Sequence, residues 1–298
     1  MPRPTRLQIA KQDIIQALDE RASSDQHVFN RSDLAALLKM QRSFWRLAQH
    51  TTLTAFIAFL CERTHLEEIV LTSDVMPPMR RYVWRQASPF EIALALKPSA
   101  YLSHGSAVYL HGLSDQLPAV IYVNQEQTPK PPPAGELTQD GLDRAFTSAQ
   151  RVSKSVYALG EKRVVVLSGK WTENLGVEDL QAEGVKLKVT SVERTLIDIV
   201  VRPSYAGGPH QVLEAYRGAR ERISTNVLVS YLKKLDYKYP YAQAIGYYAS
   251  VAGYPAAQLE RLRSMVTGLN FYLDHGLRKP DYDPSWRLFI PRGFERSG

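Results

Sequence analysis

Along the first sixty residues apolar side chains recur three and four positions apart, the period of a helix packed on one side. In QIAKQDIIQALDERA, residues 8–22, Ile14, Leu18 and Ala22 share a face opposite polar residues, which predicts a first amphipathic helix. FNRSDLAALLKM offers Asn30 as a cap, Asp33 near the positive helix end, and Leu34, Leu37 and Leu38 as an inward face. After the polar connection QRSFWRLAQH, TTLTAFIAFLCERT opens on a capping threonine and repeats Leu53, Phe56, Ile57 and Leu60, predicting a third helix. LEEIVLTS and MRRYVWRQ are then β-rich, and DVMPP between them has the prolines and aspartate of a loop joining antiparallel strands.

Beyond residue 86 the pattern mixes both periods. SPFEIALALK predicts a helix capped by Ser88, with Pro89 at its first position and an end before Pro98. PAVIYVNQ predicts a strand, and TPKPPPAG a stiff surface loop. KRVVVLSG and VKLKVTS predict strands on either side of a variable-looking WTENLGVEDLQAEG, to which no element is assigned. TSVERTLIDIVV is read as a helix opened by a capping box of Thr190 and Glu193 and stopped at Pro203. From Pro209 the chain reads as mostly helical, through PHQVLEAYRGARER, STNVLVSYLKKL, PYAQAIGYYASVAG and AAQLERLRSM, with a tail, WRLFIPRGF, apolar enough to dock. The expected fold class is α+β. The expected divisions are a winged helix-turn-helix over 1–86, a mixed α/β core over 87–208 and a helical extension over 209–298.

Three helices followed by a hairpin is the winged-helix order, in which the helix before the hairpin enters the major groove and the hairpin reaches the flanking backbone. Charge changes the picture here. The 298-residue chain carries net charge +7, which favours a polyanionic partner. Residues 1–86 contribute only +3, but Arg31, Lys39, Arg42 and Arg46 form one cluster and Arg80, Arg81 and Arg85 another. The expected DNA contacts are Thr51, Thr52 and Thr54 at the groove end of the third helix, with Arg42, Arg46, Arg80, Arg81 and Arg85 on phosphates. The competing reading is a small helical subdomain whose arginines are solvated and which serves protein contacts. The long connection before the third helix leaves two options: SFWRL is a short extra element, or a different helix does the reading.

Cys61 is the single cysteine, so no intrachain disulfide and no zinc site built on cysteine pairs can form. The N-terminal stretch lacks the apolar run of a signal peptide, and no segment approaches the ~18 apolar residues of a membrane span. A cytoplasmic protein without membrane contact is expected. The sixteen tyrosines gather toward the C-terminal helices, where core packing is the ordinary fate of such rings.

Residues 100–115, AYLSHGSAVYLHGLSD, carry two histidines beside glycines. On a helix starting at Ser103, His104 and His111 stand about 10 Å apart along the axis, whereas zinc holds its nitrogen ligands at roughly 2 Å. One metal does not join them. The serines lack the strand-elbow-helix context of a hydrolase nucleophile. His111 and Gly112 read instead as a helix end, the imidazole at the negative pole and glycine supplying the left-handed turn. Glu193 has a capping role, and Asp198 pairs with Arg194 one turn earlier. No Walker loop, G-x-G-x-x-G or H-E-x-x-H occurs, so no catalytic residue, metal or cofactor is expected.

RYVWRQASPFEIALALKPSAYLSHGSAVYLHGL followed by PAVIYVNQEQ, and then VTSVERTLIDIVVRPSYAGG, together resemble two ordered motifs of the AbiEi antitoxins of bacterial abortive-infection (phage-defence) toxin-antitoxin systems. The matching span runs from residue 80 to about 217. The resemblance implies a winged-helix repressor of its own operon that binds inverted repeats in double-stranded promoter DNA, and an antitoxin domain that counteracts a nucleotidyltransferase toxin encoded beside it. It also implies motif roles for Tyr101, Ser103, His104, His111, Gly112, Glu193, Arg194 and Asp198, as organisers of the middle domain or as a border of the neutralising surface. Family members described as type IV act without a stable toxin complex, other antitoxin types by direct capture, and both routes stay open. The alternatives are a standalone winged-helix regulator and a nucleic-acid enzyme using the histidines and Asp198.

Overall fold

The computed structural model describes residues 3–131, 135–182 and 184–294; residues 132–134, within the stretch expected to be a proline-rich loop, lie outside the described residues. The chain is α+β. Helix α1 (Arg6–Ile9) is capped by Thr5, and α2 (Lys11–Ala22) continues after a break at Ala10, burying Ile14 and Leu18 as their spacing requires. Helix α3 (Arg31–Gln41) opens with a reciprocal cap: Asn30 accepts from the Ser32 and Asp33 amides while the Asp33 carboxylate accepts from the Asn30 amide. Helix α4 (Leu53–Arg63) starts at Thr52, whose hydroxyl accepts from the Ala55 amide. Three strands, β1 (Val28–Phe29), β2 (Leu66–Leu71) and β3 (Met79–Trp84), form an antiparallel sheet in the order β1-β3-β2.

The long connection between α3 and α4 is a turn that feeds the core. Trp45 and Leu47 are buried, and Trp45 stacks on Phe56 with ring centroids 5.8 Å apart. SFWRL is thus an inward-packed turn and adds no helix. Its length follows from the reach needed to place two apolar side chains.

A six-stranded mixed sheet comes next, with order β6-β7-β5-β4-β9-β8. Its strands are β4 (Tyr101–Leu102), β5 (Val120–Glu126), β6 (Val156–Leu159), β7 (Lys162–Gly169), β8 (Val177–Ala182) and β9 (Val185–Thr190). The β5/β7 and β4/β9 pairs are parallel. Helix α5 (Pro89–Leu94), with Ser88 and Glu91 in a capping box, brings Phe90 and Ile92 onto one face beside Ile121, Val123, Val164 and Val166. Val165 and Leu167 turn to the other face, against Tyr205. Strand β7 is covered on both sides, which is why its sequence is a continuous apolar run instead of an alternation. VEDLQA, assigned no element from the sequence, is the edge strand β8: it pairs antiparallel with β9, and its polar side chains face water.

Helices α6 (His104–Leu110), α7 (Gln139–Thr147), α8 (Val192–Val201), α9 (Pro209–Ala219), α10 (Thr225–Leu235), α11 (Tyr241–Val251) and α12 (Ala256–Arg263) build the remainder, with a 3-10 turn at Pro203–Ala206. Strands β10 (Phe271–Tyr272), β11 (Asp281–Asp283) and β12 (Leu288–Ile290) form a closing sheet in the order β10-β12-β11, and through β12 and Phe294 the tail docks. Leu142, Leu196, Val212, Ile245 and Phe294 lie in one apolar cluster, so helices before and after residue 208 share a core. The cap of α8 is Ser191, which accepts from the Arg194 amide. Thr190, expected to cap, instead turns its buried hydroxyl to Thr195.

The first 86 residues are held against the rest by a shared apolar cluster, in which Leu71 and Val83 pack with Phe90, Ile121 and Val164, and by polar contacts. Arg81 donates to the Ala95 and Leu96 carbonyls just past α5, His27 Nδ1 lies 2.8 Å from Glu91 Oε1, and the Ala158 amide donates to the Thr72 carbonyl at 2.7 Å. The hairpin edge is thereby bridged to edge strand β6. No helix among the described residues is long and apolar enough to cross a membrane.

In α11, a Cβ at Gly246 would stand 2.1 Å from Trp286 Cζ3, with the six-membered ring buried and unable to retreat. Gly246→Ala gains about 1 kcal/mol of helix propensity but overpacks the ring, which costs typically 1–3 kcal/mol and more at so short a distance. The expected outcome is a lower urea midpoint at unchanged m-value; an unchanged or raised midpoint refutes this packing.

Candidate functional site

The outward face of α4 consists of small or polar side chains: Thr54, Ala55, Ala58, Cys61 and Glu62 are exposed, while Phe56, Ile57 and Leu60 turn inward. The three threonines do different things. Thr52 caps the helix, Thr51 offers its carbonyl to Arg42, and the Thr54 hydroxyl accepts from Arg31 Nη2 at 2.9 Å.

The arginines separate in the same way. Arg42 donates to the Ala48, Gln49 and Thr51 carbonyls at 2.6, 3.3 and 2.9 Å, which fixes the turn ahead of α4. Arg81 is half-buried on two carbonyls at 2.7 and 2.9 Å, and burial holds its pKa below the ordinary arginine value. Arg80 pairs with Glu68 at 2.6 Å across the hairpin. Arg85 forks onto both oxygens of Asp19 at 2.8 and 2.9 Å; this hydrogen-bonded pairing, with the indole of Trp84, outweighs desolvation and holds the Asp19 carboxyl below its usual range. The guanidinium groups of Arg42 and Arg81, expected on phosphates, are engaged here by backbone carbonyls. Arg80 and Arg85 are exposed but paired with carboxylates. The hairpin tip, residues 73–78, carries Asp74 and no cation.

Arg46 is exposed beside α4, and its carbonyl accepts from Arg6 Nη1 at 2.7 Å, so two guanidinium-bearing residues meet at the end of the turn. Arg6 and Arg31 are the members that reading the sequence did not assign to the site. Each meets its partner across forty and twenty-three positions, and no local period signals such a pairing.

The motif residues of the middle region converge on a buried polar cluster. Arg194 Nε donates to Asp198 Oδ1 at 2.8 Å with both side chains under one-tenth exposed, and Arg194 Nη1 donates to the Leu175 carbonyl at 2.7 Å. Burial works against the Arg194 charge, but Asp198 reverses the balance and raises its pKa. The Tyr101 hydroxyl donates to Glu126 and accepts from Asn124. Burial raises the pKa of Tyr101 and likewise that of Tyr237, which neighbours Arg194 and Asp198. Gly176, at φ +69, lets the chain pass where a Cβ would come within 2.9 Å of Arg194 and Tyr231.

Ser103 caps α6 through its backbone, and its hydroxyl lies 2.9 Å from His104 Nδ1. His104 holds a left-handed φ of +51 and sits between the Tyr122 and Tyr205 rings. Its burial drives its pKa down to about 4. His111 ends α6 with Nε2 2.7 Å from the Thr190 carbonyl, and Gly112 follows at φ +63, the helix end the sequence predicts. Glu193 accepts from the Ser224 amide at 3.0 Å, tying α8 to the start of α10; the capping role expected of it is corrected by this contact.

The side chains of Tyr101, Ser103, His104, Arg194 and Asp198 are buried. Surface depressions of about 690, 360 and 300 Å³ are lined by residues of the first 86 positions and by Tyr247, Ser250, Val251, Asp283 and Trp286, none of them a motif residue. Among the described residues no group of three or more His, Cys, Asp or Glu is arranged to hold a metal ion.

Asp198→Asn strands a buried guanidinium and is expected to cost about 3–5 kcal/mol in urea denaturation, while Arg194→Met with Asp198→Leu recovers most of it. Equal losses in the single and double variants contradict the pairing. His104 has a folded pKa of about 4 against an unfolded value near 6.5, so its contribution is complete above pH 6.5 and is lost as pH falls toward 4. Stability measured between these limits falls by roughly 3 kcal/mol from this residue, and His104→Gln flattens the slope; an unaltered slope contradicts a buried neutral imidazole.

No family model matches the sequence, and no curated protein matches it. Among solved structures the chain is similar to the crystal structure of the RV2827C protein from Mycobacterium tuberculosis, over 97% of this chain and 92% of that one, with a TM-score of 0.55 and 16% identity. That likeness extends to the fold.

Proposed function

We propose that the chain is a DNA-binding autorepressor and an antitoxin of the AbiEi kind, without catalysis of its own. The observation that carries the DNA half is the order α2, β1, α3, α4, β2, β3 with its sheet arranged β1-β3-β2, the succession of a winged helix-turn-helix. In this reading residues 1–86 are the DNA-binding domain, residues 87–208 the antitoxin core and residues 209–298 its helical extension. Helix α4 lies in the major groove, where its small outward side chains permit close approach to base edges. Arg46, Arg6 and Arg31 meet phosphates, while Arg42 and Arg81 hold the turn and the hairpin in place. Net charge +7 supports the polyanionic partner. The antitoxin half rests on the two family motifs, and the inward turn of their polar residues supports a scaffold over a catalytic centre.

The test is a gel shift on duplex from the chain's own promoter, set beside growth rescue from the adjacent nucleotidyltransferase. Binding is expected to weaken steeply with salt. Arg46→Ala is expected to lower the salt slope by about 1, whereas Arg81→Ala leaves the slope unchanged and lowers thermal stability. Cys61, the single cysteine, lies on the outward face of α4 and reports on the groove directly. Promoter duplex is expected to protect it from a maleimide, and equal labelling with and without duplex removes α4 from the groove.

A further inference from the structure

Thr54, Ala55, Ala58, Cys61 and Glu62 are exposed on α4 at spacings of three and four, which line one side of a helix. The helix, LTAFIAFLCER, contains no Asn, Gln or Lys. Its charged residues, Glu62 and Arg63, stand in the last turn and pair with each other at 2.9 Å. Over the first two turns the outward surface is therefore two alanine methyl groups and a threonine whose hydroxyl already accepts from Arg31 Nη2. Phe56, Ile57 and Leu60 are buried in the core of the first 86 residues, so the helix has no second face to offer. Arg42 fixes the turn from which it starts, through the Ala48, Gln49 and Thr51 carbonyls.

Such a surface restricts what the helix can recognise. In the major groove guanine presents two acceptors, which arginine or lysine engages, and adenine an acceptor beside a donor, which asparagine or glutamine matches. The first two turns of α4 carry none of these four side chains. Their methyl groups suit the one apolar group on the base edges, the C5-methyl of thymine. Short side chains also allow close approach, since the groove is only about 12 Å wide and a helix with its side chains is about 10–12 Å across. Gln49 and His50 are exposed just ahead of the helix, and the Gln49 amide matches adenine, the other member of the same base pair.

We infer that α4 reads thymine: Ala55 and Ala58 pack against the C5-methyl groups of neighbouring A·T pairs in the operator. The inference rests on the DNA-binding reading and names the bases that reading leaves open. The two alanines stand about 4.5 Å apart along the helix axis, near the ~3.4 Å spacing of successive nucleotides, so each meets its own base pair. They are the specificity-determining residues, while the arginines around them supply affinity that any sequence would receive. Guanine in their place would set its acceptors against methyl groups and leave them without donors.

The experiment measures binding of the full chain to three versions of its own promoter duplex: unmodified, with deoxyuridine for every thymidine, and with 7-deazaguanine for every guanine. Deoxyuridine removes only the methyl group, and each thymine in contact is expected to weaken binding roughly fourfold when it is lost. The 7-deazaguanine duplex is expected to bind as the unmodified one does. The pair Ala55→Ser and Ala58→Ser, which keeps the helix, is expected to bind the thymidine and deoxyuridine duplexes equally at an unchanged melting temperature. Binding indifferent to deoxyuridine overturns the thymine reading and leaves DNA binding standing. Loss confined to the 7-deazaguanine duplex assigns the reading to Arg31 or His50 and overturns it as well. A deoxyuridine penalty that persists undiminished in the serine pair removes the alanines from the contact. Failure of the unaltered chain to prefer its promoter over a scrambled duplex overturns the DNA-binding reading itself.

Discussion

Arg194 and Asp198 lie one helical turn apart on α8, almost wholly withdrawn from water, and the layout of the middle of the chain depends on their pairing. Removing two ions from solvent costs several kcal/mol each, recovered only where geometry is good and the remaining donors are satisfied. Those conditions are met by the Leu175 carbonyl and the Thr172 hydroxyl, which both accept from Arg194 Nη1, and Thr172 is joined in turn to Glu126 and through it to Tyr101. The arrangement ties the sheet, helix α8 and the β7–β8 connection into one unit. An apolar substitute of equal volume would hold the layers together, but it would not hold a loop whose backbone has no strand of its own.

The same economy of polar groups joins the first 86 residues to the rest. Arg81 closes the end of α5, His27 meets Glu91, and the hairpin edge is bridged to β6. The hairpin is consequently a fixed shoulder with an uncharged-to-acidic tip, not a free basic arm. Arg46 and Arg6, both exposed, meet at the turn ahead of α4.

Elements held by their own period were legible in the sequence. Helices α3 and α5 carry their caps in sequence, Asn30 with Asp33 and Ser88 with Glu91, and β7 announces its double burial as an apolar run. Short strands were not legible: β1, β4 and β10 are two residues each, too brief for any period, and exist because a distant partner supplies their hydrogen bonds. The polar β8 concealed itself for the related reason that it is an edge strand facing water. The arginines show the limit most sharply. Arg42, Arg46, Arg80, Arg81 and Arg85 are alike in composition and clustering, yet their roles diverge according to which carbonyl or carboxylate lies within reach, and that is set by chain segments up to sixty-six positions away.

Hydrogen exchange on the full chain, alone and with promoter duplex, tests the account most directly. The prediction is slowed exchange over α4 and the turn before it with duplex. Slowing at the hairpin tip and nothing at α4 would contradict it.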